Sequence, residues 1–267
     1  MLKIKQIKEL LENIGVKPSK SYGQNFLVDN NVLKKIIDKS KLKKSEQVLE
    51  VGPGLGFLTE LLSPQAKSVV VVEKDKRLAQ YLEERELANV KIEKGDVLRF
   101  DINKIKGKYR VIANLPYSIS SRFIRQFLET SNAPESMVLM LQWEVIERML
   151  AKPGEMNMLA LSVQYYSDPK VLFKVSKNSF WPSPRVDSGV ILLDNIQKNA
   201  HMIDSLGLFA FMKSGFSSKR KQLKNNLAKY GQETIEDGLV ALGLAADTRA
   251  QTLSLDQWQK LYRGATK

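Results

Sequence analysis

The sequence predicts an α/β protein in which a doubly wound parallel sheet is followed by a small all-helical domain. Short β-branched runs alternate with amphipathic helical segments up to about residue 194, the pattern of a parallel sheet covered by helices on both faces. From about residue 200 onward the pattern is continuously helical. The length of 267 residues fits about two domains. We therefore predict a first domain over residues 1–197 and a second over residues 198–267.

The predicted elements begin with two amphipathic helices. Apolar residues at helical spacing mark the first over residues 2–14, and Asp29 is a suitable N-cap for the second. Seven β-branched or apolar runs then predict strands, at residues 48–51, 69–73, 90–93, 111–114, 137–142, 171–174 and 190–193. Helical spacing between several of them predicts helices at residues 76–86, 121–130, 144–151 and 159–166. Near the C-terminus, Leu223 and Leu227 share one face of a predicted helix.

The composition excludes several classes of protein. The absence of cysteine rules out disulfides, thiolate metal sites and a cysteine nucleophile, and a single histidine, His201, rules out a histidine metal cluster. We therefore expect no metal. No apolar run approaches the roughly 18 residues of a membrane span, and the N-terminus lacks the apolar segment of a signal peptide. We expect a soluble, cytoplasmic protein that does not contact a membrane.

The charge is strongly basic, with 42 lysines and arginines against 29 acidic residues and a net charge of +13. Such an excess favours nucleic acid as a partner, but net charge informs solubility and non-specific binding more than it identifies a function. The charge alone leaves a nucleic-acid partner and a merely solvated basic surface equally open.

A glycine-rich turn and two acids predict a nucleoside site. The segment EVGPGLG at residues 50–56 ends the first sheet strand and opens a helix, and Gly52 and Gly54 allow the backbone to bend sharply beside a ligand. Glu73 ends the next strand, where its carboxylate can accept both ribose hydroxyls of a nucleoside. Asp96 follows the third strand and can accept from an adenine amino group.

The glycine spacing distinguishes between cofactors. Dinucleotide sites place the glycines as Gly-x-Gly-x-x-Gly, whereas this turn reads Gly-x-Gly-x-Gly. In addition, Glu60 lies in the first turn of the following helix, where a pyrophosphate would favour positive potential. A cationic ligand without phosphate fits better, and this favours S-adenosylmethionine over a nicotinamide dinucleotide.

The segment NLPY at residues 114–117 can hold a planar base that carries an amino group. The Asn114 side-chain oxygen and the Leu115 carbonyl can accept the two amine hydrogens, while Tyr117 stacks on the ring. Alone, this segment would more often be an ordinary turn after a strand. Its position after the glycine turn and the two acids favours a base-binding loop. Phe180, in a proline-rich segment, is a candidate for the other wall, although an aromatic residue beside prolines is often simply packed.

Together, these motifs carry a resemblance to a known family. The segments GQNFL at 23–27, EVGPGLG at 50–56, NLPY at 114–117 and FWPSPRVDS at 180–188, with Glu73 and Asp96, resemble those of the rRNA adenine N6,N6-dimethyltransferases of the bacterial small-subunit (KsgA/RsmA) type. The resemblance covers residues 22–255. It implies a Rossmann-like, seven-stranded methyltransferase sheet that uses S-adenosylmethionine. It also implies dimethylation of two adjacent adenines in a hairpin loop near the 3′ end of small-subunit (16S) rRNA during ribosome biogenesis.

The resemblance also implies roles for individual residues. The residues expected to bind the cofactor are Gln24, Asn25, Leu27, Gly52, Gly54, Glu73, Lys74, Asp96, Val97 and Asn114. The residues expected to hold the target adenine are Asn114, Leu115, Tyr117 and Phe180. Lys74 departs from the family, which has an apolar residue there against the cofactor adenine, and we expect the lysine stem to take its place.

The expected partner is small-subunit rRNA or the immature 30S subunit, bound by a monomer. On a predicted helix, Arg220, Lys221 and Lys224 can face phosphates, although a run of this kind is usually only a solvated face. Two alternatives stay open: a large-subunit rRNA methylase of the erythromycin-resistance type, and a non-catalytic assembly or RNA-binding factor.

Overall fold

The structure, a computed structural model, describes residues 4–19, 23–197 and 204–266. His201 and residue 22, where the family resemblance begins, therefore lie outside the described residues. Within the described ranges, no helix is both long enough and apolar enough to cross a membrane.

The chain divides into two compact units. The first comprises Met1–Ile146 with Asp168–Ile196, and the second comprises Glu147–Ser167 with Gln197–Lys267. This division departs from the predicted domains because residues 147–167 belong to the second unit. Their helix carries Tyr165, which is fully buried and whose ring lies 5.3 Å from that of Phe209 in the same unit.

The first unit is built on a seven-stranded sheet, and all seven predicted strands are present. In chain order the strands are β1 (Phe26–Leu27), β2 (Gln47–Val51), β3 (Ser68–Glu73), β4 (Val90–Lys94), β5 (Tyr109–Asn114), β6 (Ser136–Gln142), β7 (Asp168–Val175), β8 (Phe180–Trp181) and β9 (Ser188–Asp194). The order across the sheet is β4-β3-β2-β5-β6-β9-β7, and β1 pairs with β8 in a separate ribbon.

The predicted parallel sheet is confirmed except at one strand, β9. Strands β2 to β6 run parallel to one another, and β7 has the same direction because β9 lies antiparallel to both β6 and β7. A parallel pair needs a long crossover, usually a helix, between its strands. Only residues 176–187, which contain a short 3₁₀ turn and the two-residue strand β8 but no helical crossover, join β7 to β9, so the chain reverses between them.

The helices agree with the predicted positions to within a few residues. In chain order they are α1 (Ile4–Asn13), α2 (Asn30–Ser40), α3 (Phe57–Leu62), α4 (Lys76–Glu83), α5 (Ser120–Glu129), α6 (Trp143–Met149), α7 (Met158–Tyr166), α8 (Ser205–Gly215), α9 (Leu223–Asn226), α10 (Gln232–Ala241) and α11 (Leu255–Ala265). The predicted cap of α2 is confirmed, since the Asp29 carboxylate accepts from the backbone N–H of Asn31 and Val32.

Burial of the sheet fixes the edge at which functional groups meet. Residues of β2, β3 and β5 such as Val48, Val69 and Ile112 are fully buried, and helices α2 and α3 pack against them. Because parallel strands point the same way, the carboxyl ends of β2, β3, β4 and β5 lie at one edge of the sheet. The glycine turn, Glu73, Asp96 and Asn114 all follow or end these strands.

In the second unit, aromatic residues form the core. Phe211 and Trp258 are fully buried with ring centroids 5.9 Å apart, and the predicted inward positions Leu223 and Leu227 are also fully buried. The prediction that Arg220 and its neighbours lie on a helix is wrong. Residues 217–222 form a turn before the short helix α9, because the Asn226 side chain donates to the carbonyls of Gly215 and Ser218 and holds the chain there.

Candidate active site

The functional groups predicted from sequence surround one cavity in the first unit. It lies at the carboxyl edge of β2–β5, beneath residues 23–27, and encloses about 1090 Å³ measured out to solvent. The cavity is lined by all the predicted cofactor residues: Gln24, Asn25, Leu27, Gly52, Gly54, Glu73, Lys74, Asp96, Val97 and Asn114. Leu115 and Tyr117 line the same cavity, so the structure brings the cofactor motifs and the base-binding loop together.

The glycine turn packs closely against the side chains of Phe26 and Pro116. Gly52 and Gly54 both have positive φ angles, 62° and 59°. A Cβ on Gly54 would lie 3.0 Å from the Phe26 ring, and one on Gly52 would lie 3.2 Å from the Pro116 ring. Because only glycine suits both the backbone and the space, the turn can approach a ligand with no side chain intervening.

Glu73 is tied to the glycine turn. Its side chain is buried, one carboxylate oxygen accepts from the Gly54 N–H at 3.2 Å, and the other accepts from the Asp75 N–H at 2.8 Å. Burial raises the pKa of Glu73 above its usual value, partly offset by these two donors. The carboxylate therefore holds the turn in place and still lines the cavity, where it can accept from a ligand hydroxyl.

The Asp96 carboxylate forms an ion pair with Lys74, which also lines the cavity as predicted. The Lys74 ammonium lies 3.0 Å from the Asp96 carboxylate, and the Leu98 N–H donates to its other oxygen at 3.0 Å. Burial opposes ionisation, but these two donors outweigh it and hold the pKa of Asp96 below its usual value. The lysine that replaces the family's apolar residue thus joins the two strand ends by an ion pair.

Glu50 also lies at the site, although it is not among the predicted site residues. It is 1% exposed, lines the cavity, and its Oε2 has no hydrogen-bond partner among the described residues. Burial, together with the nearby charge of Glu73, raises the pKa of Glu50 to about 8. The sequence feature that could have identified Glu50 as a site residue is its place inside the otherwise apolar strand at 48–51, where a charge has no ordinary packing role.

Replacement of Glu50 by glutamine is expected to flatten the pH dependence of stability. The folded protein keeps the Glu50 proton up to about pH 8, whereas the unfolded chain loses it near 4.5. Wild-type stability therefore falls as the pH rises between these values, by roughly 1.4 kcal/mol per pH unit, because only the folded state still binds the proton. Glu50→Gln lacks this contribution.

Calorimetric unfolding of both proteins at pH 6 and pH 8.5 measures the effect. Other titrating groups change both proteins alike, so the difference between the two curves isolates Glu50. If the free energy of unfolding changed by the same amount between the two pH values in the wild type and in Glu50→Gln, the Glu50 carboxyl group would already be ionised in the folded protein.

Residues 23–27 are held over the cavity by specific hydrogen bonds. The Gln24 side-chain oxygen accepts from the Ser19 N–H at 2.8 Å, and its amide nitrogen donates to Asp75 at 3.4 Å. Leu27 pairs with Phe180 in the β1–β8 ribbon. The carboxyl end of β3 and the residues just after it therefore anchor two segments: Glu73 holds the glycine turn, and Asp75 holds residues 23–27.

The base-binding loop follows β5. Asn114 is half-buried at the end of that strand, and no described residue forms a hydrogen bond with its side chain, so both atoms of its amide are available. Leu115 is buried and donates its N–H to the Met140 carbonyl at 3.2 Å. The Tyr117 hydroxyl lies 2.7 Å from that of Ser188.

The structure does not place Phe180 in the cavity lining. Phe180 is 3% exposed and belongs to a buried apolar cluster of the first unit that also contains Leu27 and Val175. In this arrangement Phe180 supports the segment that covers the cavity through β1–β8 pairing. A role as one wall around a target base stays a prediction.

The fold and the site define the class of protein. A seven-stranded sheet with one antiparallel strand near one edge, a glycine turn after its first strand and acids at the next two strand ends is the arrangement of an S-adenosylmethionine-dependent methyltransferase. The family model "Ribosomal RNA adenine dimethylase" matches residues 15–267, and the chain belongs to this family.

Curated relatives cover almost the whole chain. A protein from Dehalococcoides mccartyi named "Ribosomal RNA small subunit methyltransferase A" is 38% identical over 265 residues, which are 96% of this chain and 91% of the relative. Proteins of the same name from Alkaliphilus oremlandii and Geobacillus kaustophilus are 37% and 38% identical, over 98% and 95% of this chain and 97% and 93% of their own lengths.

Solved structures show the same fold. A dimethyladenosine transferase from Plasmodium falciparum superposes with a TM-score of 0.74 at 25% identity, over 88% of this chain and 95% of its own. The 23S rRNA methyltransferase ErmE superposes with a TM-score of 0.72 over 91% of this chain and 100% of its own. At 23% identity, the likeness to ErmE shows the fold alone.

Proposed function

We propose that this protein transfers methyl groups from S-adenosylmethionine to N6 of two adjacent adenines in a hairpin loop near the 3′ end of small-subunit rRNA. It acts on the rRNA or the immature 30S subunit during ribosome biogenesis in the cytoplasm, as a monomer. The observation that carries the proposal is that the NLPY loop at 114–117 and the cofactor residues line one cavity. The relatives named for the small-subunit enzyme support the choice of RNA.

The residues present fit S-adenosylmethionine. Glu73 would hold the ribose hydroxyls, and Asp96, with Val97 beside it, would receive the adenine. Gly52 and Gly54, together with Gln24, Asn25 and Leu27, would hold the methionine portion, and Asn114 would contact both the cofactor and the target. When bound, the cofactor would supply an electrophilic methyl group on a sulfonium, and it would leave as the neutral thioether S-adenosylhomocysteine.

Asn114 and Leu115 prepare the target nitrogen for attack. The adenine N6 lone pair is delocalised into the ring, which makes it a poor nucleophile. The Asn114 side-chain oxygen and the Leu115 carbonyl accept its two hydrogens and favour a tetrahedral nitrogen, with the lone pair directed at the methyl group. N6 becomes acidic only as it is alkylated, so its proton then leaves to water and no histidine or other general base is needed.

Tyr117 supplies a stacking surface for the adenine once it has left its own stack. The ring is half-buried, which leaves part of it towards the cavity. Phe180 would complete the enclosure of the base only if the residues that now bury it, including Leu27, separate from it.

In the second unit, the basic turn before α9 contributes to rRNA binding. Arg220 and Lys221 are exposed, whereas Lys224 is half-buried and lies 2.7 Å from the Glu236 carboxylate. Exposed cations attract phosphates without reading sequence, and this attraction weakens as salt rises. We therefore assign the phosphate contacts mainly to Arg220 and Lys221.

Two alternatives are weaker. The fold is shared with a large-subunit methylase of the erythromycin-resistance type, but a shared fold does not specify the RNA. A non-catalytic assembly factor has no need for the amide of Asn114 or the ring of Tyr117, and both are present at the cavity.

Labelled S-adenosylmethionine tests the proposal directly. We expect the purified protein to methylate small subunits from cells that lack this modification, with dimethyladenosine as the product in nuclease digests. Fully modified small subunits are the control and should take up no label. Label in large-subunit RNA instead would overturn the assignment in favour of the erythromycin-resistance type, and no label in either RNA would favour the non-catalytic factor.

A further inference from the structure

A pair of hydroxyl groups joins the base-binding loop to a distant strand. The Tyr117 and Ser188 hydroxyls lie 2.7 Å apart, although the two residues are 71 positions apart in the chain. Tyr117 follows β5 and Ser188 begins β9, and β6 lies between these strands in the sheet. The contact therefore links the loop after β5 to a strand that is not its neighbour.

Strand pairing and packing hold Ser188 in one position. It is fully buried, and its backbone pairs with Gln142 of β6 on one side and with Val175 of β7 on the other. The next residue, Gly189, faces the Trp143 ring, where an added Cβ would lie only 2.8 Å from a ring carbon. Paired on both sides and closely packed, this end of β9 has no room to move.

Tyr117, in contrast, lies in a loop. Its backbone carbonyl accepts from the Ser120 hydroxyl at 3.1 Å, which holds the residue at one end, and the Ser188 hydroxyl holds the other end of the side chain. Burial keeps the pKa of the phenol above its usual value, although the hydrogen bond with Ser188 acts in the opposite direction, so the contact joins two neutral groups at neutral pH. Because the two ends of the residue are held, the direction of the side chain and the place of its ring are set before any ligand enters.

We propose that Ser188 is a positioning residue for methyl transfer, because its hydroxyl fixes where the Tyr117 ring lies when it receives the target adenine. The inference rests on the proposed function, in which Tyr117 stacks on that base. A ring that is already oriented need not lose rotational freedom when the base binds, and it holds N6 in line with the methyl group. A ring released from Ser188 still stacks but positions N6 less well.

A double-mutant cycle tests the inference. Tyr117→Phe and Ser188→Ala each remove the contact and keep the ring. We expect each variant to lower kcat for transfer to small subunits about tenfold, or about 1.4 kcal/mol. The double variant should be no slower than either single one, since the same contact is lost. The affinity for S-adenosylhomocysteine, measured without RNA, should not change.

Ser162→Ala is the matched control. Ser162 is also buried, but its hydroxyl has no hydrogen-bond partner among the described residues and it lies in the second unit. Its removal should leave kcat unchanged. Independent losses that multiply in the double variant, or a Ser188→Ala enzyme with wild-type kcat, would overturn the inference.

A spectroscopic measurement separates this inference from the proposed function. In protein labelled with ¹³C at the tyrosine ring carbon that bears the hydroxyl, Tyr117→Phe identifies the Tyr117 signal. That signal should move in Ser188→Ala and stay in place in Ser162→Ala. Absence of transfer by the wild type would refute the proposed function. A Tyr117 signal that stays in place in Ser188→Ala would refute the positioning role, whatever the transfer assay shows.

Discussion

Asn114→Ala is expected to lower the rate of methyl transfer by about 10³-fold while cofactor binding stays measurable. The loss follows from the removal of an acceptor that acts on N6 as the nitrogen becomes tetrahedral, and deletion of a single group that stabilises a transition state typically costs 10²–10³-fold in kcat. The side chain makes no hydrogen bond with the described part of the chain, so its truncation leaves no buried partner unsatisfied.

The measurement pairs single-turnover transfer to unmodified small subunits with calorimetric binding of S-adenosylhomocysteine. Asn103→Ala serves as the control, because Asn103 is an exposed asparagine in the same unit and does not line the cavity. The control should match the wild type in both assays. Turnover of Asn114→Ala within a few-fold of the wild type would remove the proposed role of the loop. Complete loss of cofactor binding would instead place Asn114 chiefly in the cofactor site.

The positions of the strands were predictable because burial of a parallel sheet leaves a strong local signal. The run at 111–113, for example, is apolar without alternation, as expected of a strand covered on both faces, and residues Tyr109–Ala113 are all buried. The direction of β9 was not predictable in this way. Strand direction depends on whether the connection crosses the sheet, and the segment at 176–187 carries no periodicity that reveals its path.

The meeting of the proposed cofactor residues at one cavity was predictable for a similar reason. A glycine turn and acids that follow successive strands must meet at one edge of a parallel sheet, so chain order alone brings Gly54, Glu73 and Asp96 together. The partners of these residues were not predictable. Contacts such as Lys74 with Asp96, or Tyr117 with Ser188, depend on side-chain directions between separate elements, which local sequence does not specify.

The basic segment shows how a local pattern can be overridden. Leu223 and Leu227 are buried as their spacing predicts, yet the residues before them turn instead of continuing the helix. The Asn226 side chain donates to the last residue of the preceding helix, Gly215, and to Ser218 in the turn, and these tertiary contacts outweigh the small helix preference of lysine and arginine.

Glu73→Gln is expected to weaken the binding of S-adenosylhomocysteine about 100-fold. The glutamate carboxylate offers about four lone-pair positions and has backbone donors in Gly54, Asp75 and Lys74, so at least one position remains for a ribose hydroxyl. A glutamine places an NH₂ donor opposite one of these backbone donors. The variant therefore loses charge-assisted hydrogen bonds to the ligand and also loosens the glycine turn, a combined loss of about 3 kcal/mol.

Glu93→Gln is the matched control for this change. Glu93 lies near the end of the neighbouring strand β4, pairs with Lys91 and Lys104 at the surface, and does not line the cavity. Its replacement removes the same charge from the same edge of the sheet, so a general electrostatic effect on the cationic cofactor would appear in both variants. Calorimetric titration at one salt concentration should show near-wild-type affinity for Glu93→Gln. Equal weakening in the two variants would mean that net charge at this edge, rather than hydrogen bonding by Glu73, governs cofactor affinity.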